Sequence, residues 1–175
     1  MIFQLYRPFE YMLDRKCKSM KKIGKRSSHR TWPALLVCAL LFGTFNAAKA
    51  DCFDDAGLYH QVNPWILRAI AAEESGFRPN TVVKNSNNSL DRGMTGINSV
   101  HLPELAKFGI GATDLMDACK SIYVAAWHLR KKMTKYGNNY KAVGAYHSET
   151  PDRLEVYASK IRRRIVDWTA RGWIR

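Results

Sequence analysis

The chain has 175 residues with 28 Lys or Arg against 15 Asp or Glu, a formal charge of +13. Residues 1–50 hold ten basic and two acidic side chains, a surplus of +8, and the remaining 125 carry only +5, so the basic excess sits mainly at the N-terminus and argues against nucleic acid as the partner. Those 125 residues suffice for one hydrophobic core and not for two ordinary domains, which excludes most multidomain enzymes.

From Met20 onward the N-terminal segment reads as a secretory signal. Lys21, Lys22, Lys25, Arg26 and Arg30 precede an apolar run from Trp32 to Phe45, and Ala48-Lys49-Ala50 supplies the small residues of a cleavage site. The apolar run is 14 residues long, short of the roughly 20 a helix needs to span a bilayer. The expectation is translation from Met20, cleavage after Ala50 and a periplasmic domain over residues 51–175, with inner-membrane attachment if the signal stays uncut. Cys17 and Cys38 leave with it. Cys52 and Cys119 then meet an oxidising compartment and are expected to pair, closing a loop worth roughly 4 kcal/mol on the chain-entropy account.

Apolar residues in the exported part fall at helical spacing, and no stretch alternates cleanly with period two. The fold class predicted is all-α, with five or six helices and at most a short β-hairpin. A first helix covers about Phe53 to His60. A second opens with Asn63 as N-cap and Pro64 at its first position, runs to Ser75, and is stopped by Gly76 and Pro79. From Arg78 to Arg92 the composition is that of a loop, long enough to have a job. Asn98 can cap a short helix over Ser99 to Lys107. The best helix begins near Thr113, with Asp114 and Asp117 in its first turns and Leu115, Ala118, Cys119, Ile122, Ala126, Leu129 and Met133 along one stripe. After Gly137 a short helix covers about Tyr140 to Tyr146. Thr150-Pro151 opens the last, with Leu154, Tyr157, Ala158, Ile161, Ile165 and Trp168 facing inward and Arg162-Arg163-Arg164 forming a solvated stripe.

The five histidines are scattered without HxxxH or HExxH spacing, so no metal site is expected. Glu73-Glu74-Ser75 ends a helix that is otherwise almost uncharged. Leu67, Ile70, Ala71 and Glu74 share a face, which carries the Glu74 carboxyl toward apolar surroundings. Burial raises a carboxyl pKa, and an acid still protonated near neutrality suits glycosidic-bond cleavage. Glu73, one position round, is expected simply to meet solvent.

Three blocks in order carry a resemblance: Glu74-Ser75-Gly76-Phe77-Arg78-Pro79-Asn80, Asp91-Arg92-Gly93-Met94-Thr95-Gly96-Ile97-Asn98-Ser99-Val100-His101-Leu102, and Val143-Gly144-Ala145-Tyr146. They resemble the soluble lytic transglycosylase family over about Cys52 to Trp168, and most of all its small specialised members that accompany type III or type IV secretion or conjugation machines. Those members also have a cysteine after the signal and another entering the long helix, as Cys52 and Cys119 do. The resemblance implies a lysozyme-like helical fold that binds peptidoglycan glycan strands beside secretion or conjugation machinery; acid–base chemistry on a glycan requires no cofactor, and a monomer is the default oligomeric state. It implies cleavage between N-acetylmuramic acid and N-acetylglucosamine to a 1,6-anhydromuramoyl end. Glu74 becomes the single catalytic acid and base, Ser75 holds the turn beside it, Gly93 permits close approach of substrate, and Asn98 and Tyr146 orient sugar or carboxyl. Met94 belongs to the same supporting block. The plain alternatives are Tyr146 as a core aromatic, Asn98 as a cap and Gly93 as a turn.

Two departures stand out. The family usually has Gly-Leu-Met-Gln-Ile-Asn where this chain reads Gly93-Met94-Thr95-Gly96-Ile97-Asn98, so Gly96 replaces an amide that contacts substrate. Ala-Tyr-Asn becomes Ala145-Tyr146-His147, and His147 can supply the missing polar contact with a pH dependence of its own. These departures favour one competing expectation, a weakly active or inactive peptidoglycan-binding recruitment component; a hydrolytic muramidase is a further alternative.

Overall fold

The computed structural model describes residues 51–174; the signal segment, its cleavage site and the Met20 start lie outside the described residues. Six α-helices are present among them: α1 Cys52–His60, α2 Pro64–Ser75, α3 Leu102–Leu105, α4 Ala118–Tyr136, α5 Tyr140–His147 and α6 Pro151–Ala170. Short 3-10 turns at Ser99–His101 and Ala106–Phe108 flank α3, and another at Asp114–Met116 precedes α4.

Local sequence explains the boundaries. The Asp51 carboxylate accepts from the backbone N–H groups of Phe53 and Asp54 and so starts α1. Asn63 accepts from Trp65 N–H at 2.8 Å ahead of Pro64, and Gly76 closes α2 in the left-handed conformation. The Arg68 guanidinium ties α2 back to Asp51 and Asp54 at 2.9 Å while lying over the rings of Phe53 and Trp65. Cys52 and Cys119 are disulfide-bonded with their Cα atoms 5.4 Å apart, fastening α1 to the start of α4.

The long helix starts later than its apolar stripe suggests. Asp117 is its N-cap, accepting from Lys120 N–H at 2.8 Å, and the preceding Asp114–Met116 is a 3-10 turn. Asp114 is occupied there by Gly111 N–H and by the Lys120 ammonium, contacts that hold the turn out of the α-helix. From Ser121 to Ala126 every residue of α4 is buried, so it is the central helix rather than a one-sided amphipathic one. The core also holds Leu67, Ile70, Leu105, Leu115 and Ile161, all nearly or wholly removed from water, each worth about 1.5–3 kcal/mol relative to exposure. Leu154, Tyr157, Ala158, Ile161 and Trp168 of α6 turn inward as their spacing predicts, with Ile165 half-buried.

The Arg78–Arg92 segment differs from its expected loop. Val82–Lys84, Leu90–Arg92 and Ile97–Asn98 form an antiparallel sheet in the order β1-β2-β3, one strand more than a hairpin. Strands of two or three residues are too short to show a period-two pattern, and the asparagine-rich turn between β1 and β2 dominates the composition. The arginine stripe is also more engaged than expected. Arg164 pairs with Glu73 at 2.9 Å and Arg162 lies over the Tyr140 ring, leaving Arg163 exposed.

Candidate active site

The C-terminal turn of α2 aims Glu74 between the small sheet on one side and α6 on the other. Its side chain is 14% exposed, and Oε1 accepts a 2.6 Å hydrogen bond from the Tyr157 hydroxyl. Burial is the main cause that pushes the Glu74 carboxyl up to about 7; the Tyr157 hydrogen bond opposes it, and the negative charges of Asp91 and Glu73 add to it. The Tyr157 hydroxyl is itself pushed well above its ordinary value by burial and by the nearby Glu74 charge, so it stays a neutral donor. Near neutral pH this carboxyl is therefore divided between acid and base.

Glu73 does not simply meet solvent. It binds Lys160 at 3.0 Å and Arg164 at 2.9 Å on α6; burial pulls its carboxyl upward, yet these two cations outweigh that and leave it below its ordinary value. Two adjacent glutamates thus have opposite electrostatics because they leave the helix about 100° apart.

The supporting residues of the sequence motif are mostly turned toward protein. Ser75 is buried; its hydroxyl donates to the Met94 carbonyl at 2.7 Å and accepts from Arg78 N–H at 3.0 Å, locking the turn after Glu74 onto the β2–β3 connection. Met94 is itself buried and takes part through that carbonyl. Gly93 has φ +78°, and a Cβ there would lie 2.0 Å from the Leu115 carbonyl oxygen, so the close approach it allows is by the chain's own backbone. Asn98 caps the turn that follows it and also faces Asp91 across the β2–β3 pair, donating at 2.6 Å to Asp91 and at 2.9 Å to Ser89. The cap alternative of the sequence reading is thus what the structure shows for Asn98, whose amide hydrogens are taken by Asp91 and Ser89. Tyr146 is buried, and its hydroxyl donates to the Thr95 carbonyl at 2.8 Å.

Gly96 and His147, the two departures, both lie against the acid. Gly96 has φ +64°, and a Cβ there would sit 2.6 Å from Oε2 of Glu74. His147, about half exposed, stacks on Tyr157 with centroids 4.7 Å apart and brings Nδ1 to 3.9 Å from Oε1 of Glu74. Burial lowers its pKa, with Lys160 and Arg153 adding to the effect, so near pH 7 it faces Glu74 mainly as a neutral ring.

Two cavities meet at Glu74. The larger, about 420 Å³, runs along the sheet and is lined by Asn85, Ser86, Asn87, Ser89, Asp91, Gly96, Asn98, Tyr146 and His147 among others. The smaller, about 340 Å³, lies along α6 between Glu73, Asp152, Arg153, Val156, Tyr157 and Lys160. Amides and hydroxyls beside a protonated carboxyl form a surface able to bind a sugar chain and protonate an oxygen within it. At the floor of the larger cavity His101 and His128 lie with ring centroids 4.4 Å apart. Burial drives His128 down to about 3, and its Nε2 sits 3.3 Å from the Tyr146 carbonyl at the end of α5.

Sequence reasoning missed Tyr157 and Asp91. Tyr157 read as a core residue, and its ring is buried, but periodicity says nothing of where a hydroxyl points. Asp91 lay inside a recognised block with no role attached; its place beside Glu74 depends on the β2–β3 register.

Residues 51–157 match the family model of the transglycosylase SLT domain. Similar proteins include the X polypeptide of Escherichia coli, 35% identical over 141 residues covering 77% of this chain and 83% of that protein. The invasion protein IagB of Salmonella typhimurium strain SL1344 is 38% identical over 123 residues, 67% of this chain and 77% of that protein. Protein IpgF of Shigella flexneri is 38% identical over 122 residues, 66% of this chain and 80% of that protein. With the buried acid, the sugar-sized cleft and the helical frame in agreement, the chain belongs to the transglycosylase SLT domain family and has its lysozyme-like fold.

Proposed function

We propose that this protein is a peptidoglycan lytic transglycosylase with Glu74 as its catalytic residue. The observation that carries the reading is the Glu74 carboxyl itself, 14% exposed and raised to about 7 at the junction of an amide-lined cleft. In the first half of the reaction the protonated carboxyl gives its proton to the glycosidic oxygen as the muramoyl C1–O bond breaks, and the substrate's acetamido oxygen stabilises the developing cation. In the second half the carboxylate takes the proton of the muramoyl C6 hydroxyl as that oxygen bonds to C1. Glu74 ends protonated as it began, the product has a 1,6-anhydromuramoyl end, and no water is consumed. A pKa near 7 serves both halves, since neither protonation state is rare at working pH.

Tyr157 fixes the carboxyl by its hydrogen bond, the absence of a side chain at Gly96 leaves the carboxyl its room, and Ser75 secures the helix end that bears it. The setting proposed is the periplasm, where the signal-like residues 1–50 would deliver the chain and the Cys52–Cys119 bond would persist. Similarity to a protein named for invasion supports a role in opening the wall locally while a secretion or conjugation apparatus assembles.

Asp91 favours a second reading. Its carboxylate accepts from the amides of Asn85 at 2.9 Å and Asn98 at 2.6 Å, lines the same cavity as Glu74 and contributes to the raised Glu74 pKa. A second fixed carboxylate could stabilise a cation long enough for water to attack, which is muramidase hydrolysis. Digestion of sacculi in H2(18)O separates the two: the lytic reading expects unlabelled ends lighter by one water, and one labelled oxygen per cleaved bond would replace it with the hydrolytic one.

A further inference from the structure

The two cavities that meet at Glu74 differ in chemistry, and the difference matches the two parts of a peptidoglycan strand. The sheet-side cavity is lined mostly by asparagines and serines, groups that hydrogen-bond sugars, with the Asp91 carboxylate among them held by the Asn85 and Asn98 amides. Along α6 the lining is instead charged and apolar. Glu73 and Lys160 there are bound to each other at 3.0 Å, which leaves Asp152, Arg153, Val156 and His147 as the exposed groups of the lining, with Arg153 the one cation among them outside an ion pair. Arg153 is exposed, makes no ion pair among the described residues, and lines both cavities, while Val156 is 59% exposed beside it. The sugars of the glycan are uncharged; carboxylates and alanine methyl groups come with the peptide stem on the muramoyl lactyl group.

We propose that the α6-side cavity seats the peptide stem of the substrate, with the Arg153 guanidinium binding a stem carboxylate and Val156 packing against alanine methyl groups. The assignment rests on the peptidoglycan reading above and adds what that reading lacks, a means of telling stem-bearing from stem-free strands. Arg153 is suited to it because a guanidinium holds a carboxylate through two parallel N–H bonds and is weakly hydrated compared with an ammonium. Its place at the junction lets it grip the stem while the sugar lies beside Glu74.

The test is calorimetric binding to the Glu74→Gln protein, which holds substrate without turnover. Three tetrasaccharide probes are compared: one carrying stems, the same one after an amidase has removed them so that only lactyl carboxylates remain, and chitotetraose, which has no carboxylate. Replacing Arg153 by Gln in that background should weaken the stem-bearing probe roughly ten- to a hundredfold, the size expected for a charge-assisted hydrogen bond, and leave the other two within about twofold. Arg153→Lys should recover part of the loss. Equal weakening of stem-bearing and stem-free muramoyl probes, with chitotetraose unaffected, would move the contact to the lactyl carboxylate and overturn the stem seat. Equal change in all three probes, or none in any, would overturn it as well. If no probe binds the Glu74→Gln protein at all, the peptidoglycan reading falls together with this one, an outcome distinct from the others.

Discussion

Restoring the family's glutamine at Gly96 should damage the site. A Cβ at that position would stand 2.6 Å from Oε2 of Glu74 and 3.1 Å from its Cδ and Cγ, so the carboxyl must retreat by about 0.8 Å or more to reach ordinary contact distance. Retreat strains the 2.6 Å hydrogen bond from Tyr157, which fixes the other oxygen. The residue would also adopt φ +64°, costing roughly 1–2 kcal/mol for a side chain with a Cβ. In a domain of this size that lowers Tm by about 4 to 8 °C. Misplacement of a reacting group by a fraction of an ångström to 1 Å costs roughly ten- to a hundredfold in rate. Gly96→Gln should therefore lose that much kcat on purified sacculi, measured as soluble muropeptide released, while sacculus pull-down changes little. Gly96→Ala, which adds the Cβ alone, should fall nearly as far. A Gly96→Gln protein as active as wild type, or more so, would refute the idea that this glycine is fitted to the acid, and would mean that the chain merely lacks an amide it could use.

Other expectations follow from the same geometry. Tyr157→Phe removes the hydrogen bond that favours the Glu74 carboxylate, so the alkaline limb of kcat/KM, set near 7 in the wild type, should move to higher pH as the rate falls; movement to lower pH would contradict the role given to Tyr157. Because the folded-state pKa of Glu74 lies above its ordinary 4.5, folding binds an extra proton between about 4.5 and 7, and stability drains away as pH rises through that window. Glu74→Gln should therefore be more stable than wild type at pH 8, by up to about 3 kcal/mol, with the advantage nearly gone by about pH 4 in paired Tm measurements. Reduction of the Cys52–Cys119 bond, whose cysteines lie 67 residues apart in sequence, should lower guanidinium-unfolding stability by about 4 kcal/mol or somewhat less.

Helix caps were the most legible part of the sequence, because they are local chemistry: Asn63 with Pro64, Gly76 and Asn98 all act where they stand. The disulfide was legible from the expectation of export and the cysteine count together. Asp117 was not, since Asp114 and Leu115 fit a helical stripe equally well and only their contacts with Gly111 and Lys120 show the 3-10 turn. The sheet was hidden by its shortness. In the site, the approach of Glu74 to apolar surroundings could be read from helix phase, but its partners could not. Tyr157 lies 83 residues away and Asp91 arrives through strand pairing, both tertiary facts. Gly96 looked like a missing amide, and only its positive φ and the adjacent carboxyl reveal a contact.

Mass spectrometry of the muropeptides released from sacculi by the wild type and by Glu74→Gln, side by side, tests the central claim most directly. The account predicts 1,6-anhydromuramoyl products from the wild type and none from the variant. Reducing-end products from the wild type, or anhydro products undiminished in Glu74→Gln, would contradict it.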